Sequence, residues 1–134
     1  MLRYVVAYGA TLVIFLAIDA VWLTTMSQRL YRAYLADVLA PTVNPAPAVL
    51  FYLVYVAGIV IFAITPALAG GKWTTAAGYG ALFGFFAYAT YDLTNHATIK
   101  GWPAVITIAD LGWGSLLTAI AATGGFWITR YFFD

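Results

Sequence analysis

The chain has 134 residues, of which 64% are hydrophobic and 8% charged, and its net charge is +1. That composition excludes an ordinary soluble domain, and the singly scattered basic residues give no patch for nucleic acid and no polybasic lipid-binding cluster. There is no cysteine, which excludes disulfides, thiolate metal sites and cysteine nucleophiles.

The first apolar run, 4–25, is long enough at ~1.5 Å per residue to cross a hydrocarbon core of about 30 Å. Arg3 ahead of it imitates the start of a signal peptide. However, Asp19-Ala20-Val21-Trp22 lacks a small-residue cleavage site, so the run is expected to be retained as a helix. The one long connection follows. Leu30, Tyr34, Leu35 and Val38 fall at helical spacings with Arg29, Arg32 and Asp37 between them, which predicts an interfacial helix over 28–39. Pro41, Pro45 and Pro47 then predict a stiff, extended linker.

A second span is expected over 48–69, uncharged and with Pro66 near its far end, followed by a tight turn at Gly70-Gly71-Lys72. The third, 73–98, carries Ala76, Gly80 and Gly84 four residues apart. Such a stripe lets a neighbouring backbone approach closely, and it is a candidate face for a homo-oligomer. Lys100-Gly101-Trp102-Pro103 makes the next turn, with Pro103 opening a fourth span over 103–130 that ends in Trp127, Tyr131, Phe132 and Phe133, residues suited to a headgroup interface. The fold class is therefore all-α: an integral membrane four-helix bundle with an interfacial helix in its first loop.

Four spans put both termini on one side. Arg3, Lys72 and Arg130 then oppose Arg29, Arg32 and Lys100, a tie under the positive-inside rule that the amino terminus tilts toward cytoplasmic termini.

The most conspicuous stretch is Tyr88-Ala89-Thr90-Tyr91-Asp92-Leu93-Thr94-Asn95-His96, which sets a carboxylate, an amide and an imidazole near the end of an apolar span. An ionisable residue there is a functional-site hypothesis by default. Two more acids occur in a repeated pattern, Asp19-x-x-Trp22 and Asp110-x-x-Trp113. Asp19 lies about seven residues before the first helix exits, Asp92 about six before the third exits and Asp110 about seven after the fourth enters, so the helical rise puts all three in one layer about 10 Å inside one face. No Lys or Arg falls in that layer. Three carboxylates without a basic partner are expected to share protons, bind a cation or line a wet cavity; the plainer alternative is that they hydrogen-bond the helices together. Trp22, Tyr88, Tyr91 and Trp113 are either packing aromatics or the wall of a ligand pocket, and Asn95 either caps the third helix or joins that pocket. Arg29 and Arg32 are candidate contacts for an anionic headgroup. Any divalent cation would take its ligands from Asp92, His96, Asp19 and Asp110, a donor set suited to magnesium, calcium or manganese.

The run 87–95, followed by Ala97-Thr98 and Trp102-Pro103 and flanked by the two Asp-x-x-Trp pairs, resembles the bacterial family of small predicted membrane proteins called domain of unknown function 2177. The resemblance covers nearly the whole chain. It implies four spans and a bacterial inner membrane and leans toward lipid, and it names no activity, substrate or cofactor. At His96 the family pattern leads one to expect an aliphatic residue, which weakens a histidine-dependent mechanism. The leading reading is a polar pocket of Asp19, Asp92, Asp110 and Asn95, walled by Trp22, Tyr88, Tyr91 and Trp113, for a lipid-like or small amphipathic ligand. The alternatives are a metal-assisted enzyme acting on lipid, an oligomeric proton-coupled transporter, and a structural assembly subunit.

Overall fold

A computed structural model describes residues 1–134 and contains helices only. Helix α1 (Leu2–Met26) runs without a break through a π-helical turn, Ser27–Tyr31, into the short α2 (Arg32–Leu35). The separate interfacial helix expected over 28–39 is therefore replaced by a continuation of the first span. The wider turn shifts the register beyond Met26, so that Leu35 becomes buried with Trp102 and Ile106, and Leu30, Tyr31 and Ile99 pack against this small cluster.

The second hydrophobic segment is built from α3 (Pro45–Ile59), a π turn (Val60–Ile64) and α4 (Thr65–Gly70). It starts three residues before the expected position because Pro45 and Pro47 lie in the first helical turn, where a missing N–H breaks no helical bond. Asn44 caps it, its side chain accepting from the backbone N–H of Ala46 at 3.3 Å. The π turn has a local cause as well: Pro66 cannot donate to the carbonyl four residues back and its ring crowds that carbonyl, so the chain widens one turn earlier. Gly71, at φ 69°, closes α4 in the left-handed region.

Helices α5 (Trp73–Thr98) and α6 (Ala104–Phe133) form an antiparallel pair. The pairing runs from the Arg130 guanidinium on the Gly71 carbonyl at one end, through Gly80 against Thr118 and Ala122 and Gly84 against Gly114 and Thr118, to His96 against Thr107 at the other. Ala76, Gly80 and Gly84 are all buried along this seam. The small-residue stripe expected to serve a homo-oligomer is thus covered by α6 of the same chain, because a face lacking side-chain bulk packs first against the nearest backbone that can enter it.

Three helical runs, Leu2–Leu35, Pro45–Gly70 and Ala104–Phe133, are long and apolar enough to cross a membrane. α5 is 26 residues long but less apolar, since it carries tyrosines, threonines and glycines in place of aliphatic residues. The outer surface exposes Val13, Leu53, Ile61, Leu82, Phe86 and Ile120, whereas Thr11, Thr118, Asp19, Asp92 and Asp110 are buried inside. Polar groups inside and aliphatic groups outside are what a lipid solvent demands. The Tyr55 hydroxyl meets that of Thr118 at 2.8 Å across the core.

Candidate functional site

α1 buries one stripe at four-residue spacing, Ala7, Thr11, Phe15 and Asp19. The same spacing that turns Phe15 into the core turns the Asp19 carboxylate onto α6, and Trp22 follows it one turn later. From the other direction α6 supplies Asp110 and Trp113. The indoles of Trp22 and Trp113 stack with centroids 4.2 Å apart and planes 9° from parallel.

The two Asp-x-x-Trp pairs are reciprocally joined. Trp113 Nε1 donates to Asp19 Oδ1 at 3.3 Å. Trp22 Nε1 donates to the Tyr31 hydroxyl at 3.0 Å, and that hydroxyl donates to Asp110 Oδ1. Each tryptophan therefore serves the other helix's aspartate, one directly and one through the phenol delivered by the π turn. A second phenol, Tyr52 on α3, donates to Asp19 Oδ2 at 2.7 Å.

Asp92 is fully buried and faces Asp110 within hydrogen-bonding reach. No other protein group donates to Asp92, so the two facing acids satisfy each other only by sharing a proton. Asp110 thus faces Asp92 and shares a cavity with Asp19. Of the three acids expected in one layer, only Asp19 and Asp110 open onto a cavity.

That cavity holds about 310 Å³ and lies between α1, α3, α5 and α6. Asp19 and Asp110 line it together with Trp22, Tyr88, Tyr91 and Trp113, six of the residues singled out from the sequence. Tyr31, Phe51 and Tyr52 complete the aromatic wall, and Leu23 and Ala87 add aliphatic surface. Asp92 sits behind Asp110, and Asn95, one turn past Tyr91, also lies outside the lining. Arg29 and Arg32 are exposed on either side of Tyr31 in the sequence and do not line the cavity.

Tyr31 and Tyr52 are the two cavity-lining hydroxyls bonded to the acids that the sequence analysis does not single out for the site. Tyr52 was within its reach only in part: from the expected start at 48 the residue is four positions in, and only the helix start at Pro45 brings it to about seven, the expected depth of the acids. Tyr31 was not, because its direction depends on the π turn.

His96 plays a different part from the one considered for it. It is exposed, and its Nδ1 is 3.2 Å from the Thr107 hydroxyl, which accepts from Trp102 Nε1 at 3.1 Å. These bonds tie the end of α5 to the start of α6. No three acidic or histidine side chains converge where one ion could bind them. The ligand set of Asp92, His96, Asp19 and Asp110 therefore does not form, since Asp19 is held by Tyr52 and Trp113 and His96 is turned to Thr107. His96→Ala is expected to cost less than about 1 kcal/mol, the scale of one exposed hydrogen bond, and to leave the cavity unaltered. A denaturation midpoint together with the near-ultraviolet circular dichroism of the stacked indoles checks both parts.

Searches of curated proteins and of solved structures give no match. The model of one family, described as predicted membrane protein and designated DUF2177, matches residues 4–127. With that match covering nearly all of a chain whose helices are apolar outside and bury their few acids, the protein belongs to the DUF2177 family of predicted membrane proteins.

Proposed function

We propose that this protein is a membrane-embedded binding protein whose Asp19–Asp110 cavity accepts a lipid-like or small amphipathic ligand. The observation that carries the reading is the cavity of about 310 Å³ itself, with two carboxylates set in an otherwise aromatic and aliphatic wall. Ligand sites of this size commonly combine an apolar lining with a few fixed polar groups. A bundle needing only interhelical glue would close over its polar contacts instead of leaving such a space.

In this reading α5 is a fourth span, supported by its 26-residue length, its antiparallel contact with α6 and the outward apolar side chains Leu82, Phe85 and Phe86. The membrane is a bacterial inner membrane with cytoplasmic termini, which turns the cavity end of the bundle away from the cytoplasm. Exposed Arg29 and Arg32 lie on the cavity side, at the level of lipid headgroups, where their guanidinium groups suit a phosphate.

Ala87→Phe tests the pocket without touching its polar groups, because Ala87 borders the cavity and a ring there occupies its volume. Native mass spectrometry of the purified parent is expected to show a retained amphiphile, and the variant, folded to the same extent by circular dichroism, should retain about tenfold less of it. Equal retention in both proteins, or none in the parent, contradicts the reading.

A further inference from the structure

The hydrogen bonds around the cavity leave an imbalance. Four polar donors of its wall are already committed inside the protein: Tyr52 and Trp113 to Asp19, Tyr31 to Asp110 and Trp22 to Tyr31. Acceptors are left over. Beyond a proton shared with Asp92, Asp110 is bonded only at Oδ1, and no other group donates to the fully buried Asp92. No lysine or arginine lines the space. Only the hydroxyls of Tyr88 and Tyr91 remain as donors in the wall, and a ligand that brings a carboxylate or phosphate would face the like charge of Asp19 and Asp110. One that brings donors or positive charge completes the site.

The wall agrees with the acids. Stacked Trp22 and Trp113 and the rings of Tyr88 and Tyr91 border the same space, and aromatic faces attract cations most strongly where water is excluded. Bare metal ions are poorly served, because no three ligating side chains converge and aromatic carbon offers no coordination. Organic ammonium groups use both features, as the charge meets the carboxylates and the carbon substituents meet the rings.

We infer that the cavity binds an organic ammonium group, carried either by a free amphipathic amine or by the headgroup of a zwitterionic phospholipid. This assignment rests on the proposed function and adds the ligand's charge to it. Where a phospholipid is the source, its phosphate lies outward of the ammonium, toward the exposed Arg29 and Arg32.

The test uses full-length protein in a neutral maltoside micelle, with choline as one probe and, as the other, the uncharged alcohol in which carbon replaces the choline nitrogen. The readout is the exciton circular dichroism of the stacked Trp22–Trp113 pair. Choline is expected to bind about tenfold more tightly than its carbon analogue, the scale of a desolvated cation–π and charge contact. Asp110→Asn should erase that preference, and Asp110→Glu, which keeps the charge, should retain it and so separates loss of charge from loss of fold. Repeating the titration in nanodiscs identifies the source. Weaker choline binding in phosphatidylethanolamine than in phosphatidylglycerol discs points to the lipid headgroup, and equal binding points to a free amine. Equal affinity for the two probes, or preference for an alkyl sulfate, overturns the ammonium assignment and leaves the cavity reading standing. If no probe perturbs the tryptophan pair and no amphiphile co-purifies, both fail.

Discussion

Gly84→Ala is expected to abolish the folded protein, while Gly78→Ala in the same helix leaves it intact or slightly more stable. A methyl group on Gly84 would collide with the carbonyl oxygen of Gly114 and lie 2.6 Å from the Thr118 hydroxyl. The first of these is backbone inside a helix and has no rotamer to escape by, so α5 and α6 must separate. Separation uncovers the seam that holds Asp92 against Asp110. Overpacking of a side-chain core costs about 1–3 kcal/mol, and displacing a helix backbone belongs at or above the top of that range. Gly78 has nothing within 4 Å of the corresponding position, and relief of glycine's backbone entropy in a helix is worth about 0.5–1 kcal/mol. Thermal unfolding in micelles, combined with light scattering on the eluted particle, measures the contrast. A stripe used between copies would behave differently: Gly84→Ala would then release well-folded monomers, and that result would refute the packing described here.

Asp92→Asn should raise stability and weaken ligand binding at once. The asparagine is nearly isosteric, keeps one acceptor and adds an amide N–H pair facing Asp110, a permanent donor where the wild-type carboxyl donates only when it holds a proton. A buried polar group without a partner costs about 1–3 kcal/mol, and the substitution should recover a good part of that. The same amide then satisfies the acceptor that we assign to an ammonium ligand, and choline affinity should fall about tenfold. Gains in stability that cost function are common where a site holds unfavourable groups in place for a ligand. Unfolding midpoints and the choline titration, made on the same preparation, decide the matter. A variant that melts lower, or that melts higher with unchanged choline affinity, removes Asp92 from the site.

These two substitutions also separate what each level of description contributes. Position along the membrane normal is a single coordinate, set by the rise of about 1.5 Å per residue from a recognisable helix end. It bounds a helix over 73–98, and it sets Asp19, Asp92 and Asp110 at one expected depth before any helix is packed. Local chemistry did as much where it was short-range, as at the Gly70-Gly71 turn. It fell short where two local rules competed: three prolines implied a linker, yet Pro45 and Pro47 occupy the opening turn of α3, where prolines are tolerated. Rotation about each helix axis is the other coordinate, and residue counting does not contain it. Whether Ala76, Gly80 and Gly84 meet a second copy or α6, whether Asp92 opens onto the cavity or stands behind Asp110, and whether His96 joins the acids or Thr107 all depend on which faces pack together. Tyr31 shows the dependence most plainly, since one widened turn after Met26 carries its hydroxyl between Trp22 and Asp110. The sequence by itself determined an all-helical membrane chain with three aspartates in its apolar helices; the tertiary structure alone decided which acids and rings enclose a space, because helix rotation is set by side-chain interlocking between segments far apart in the chain.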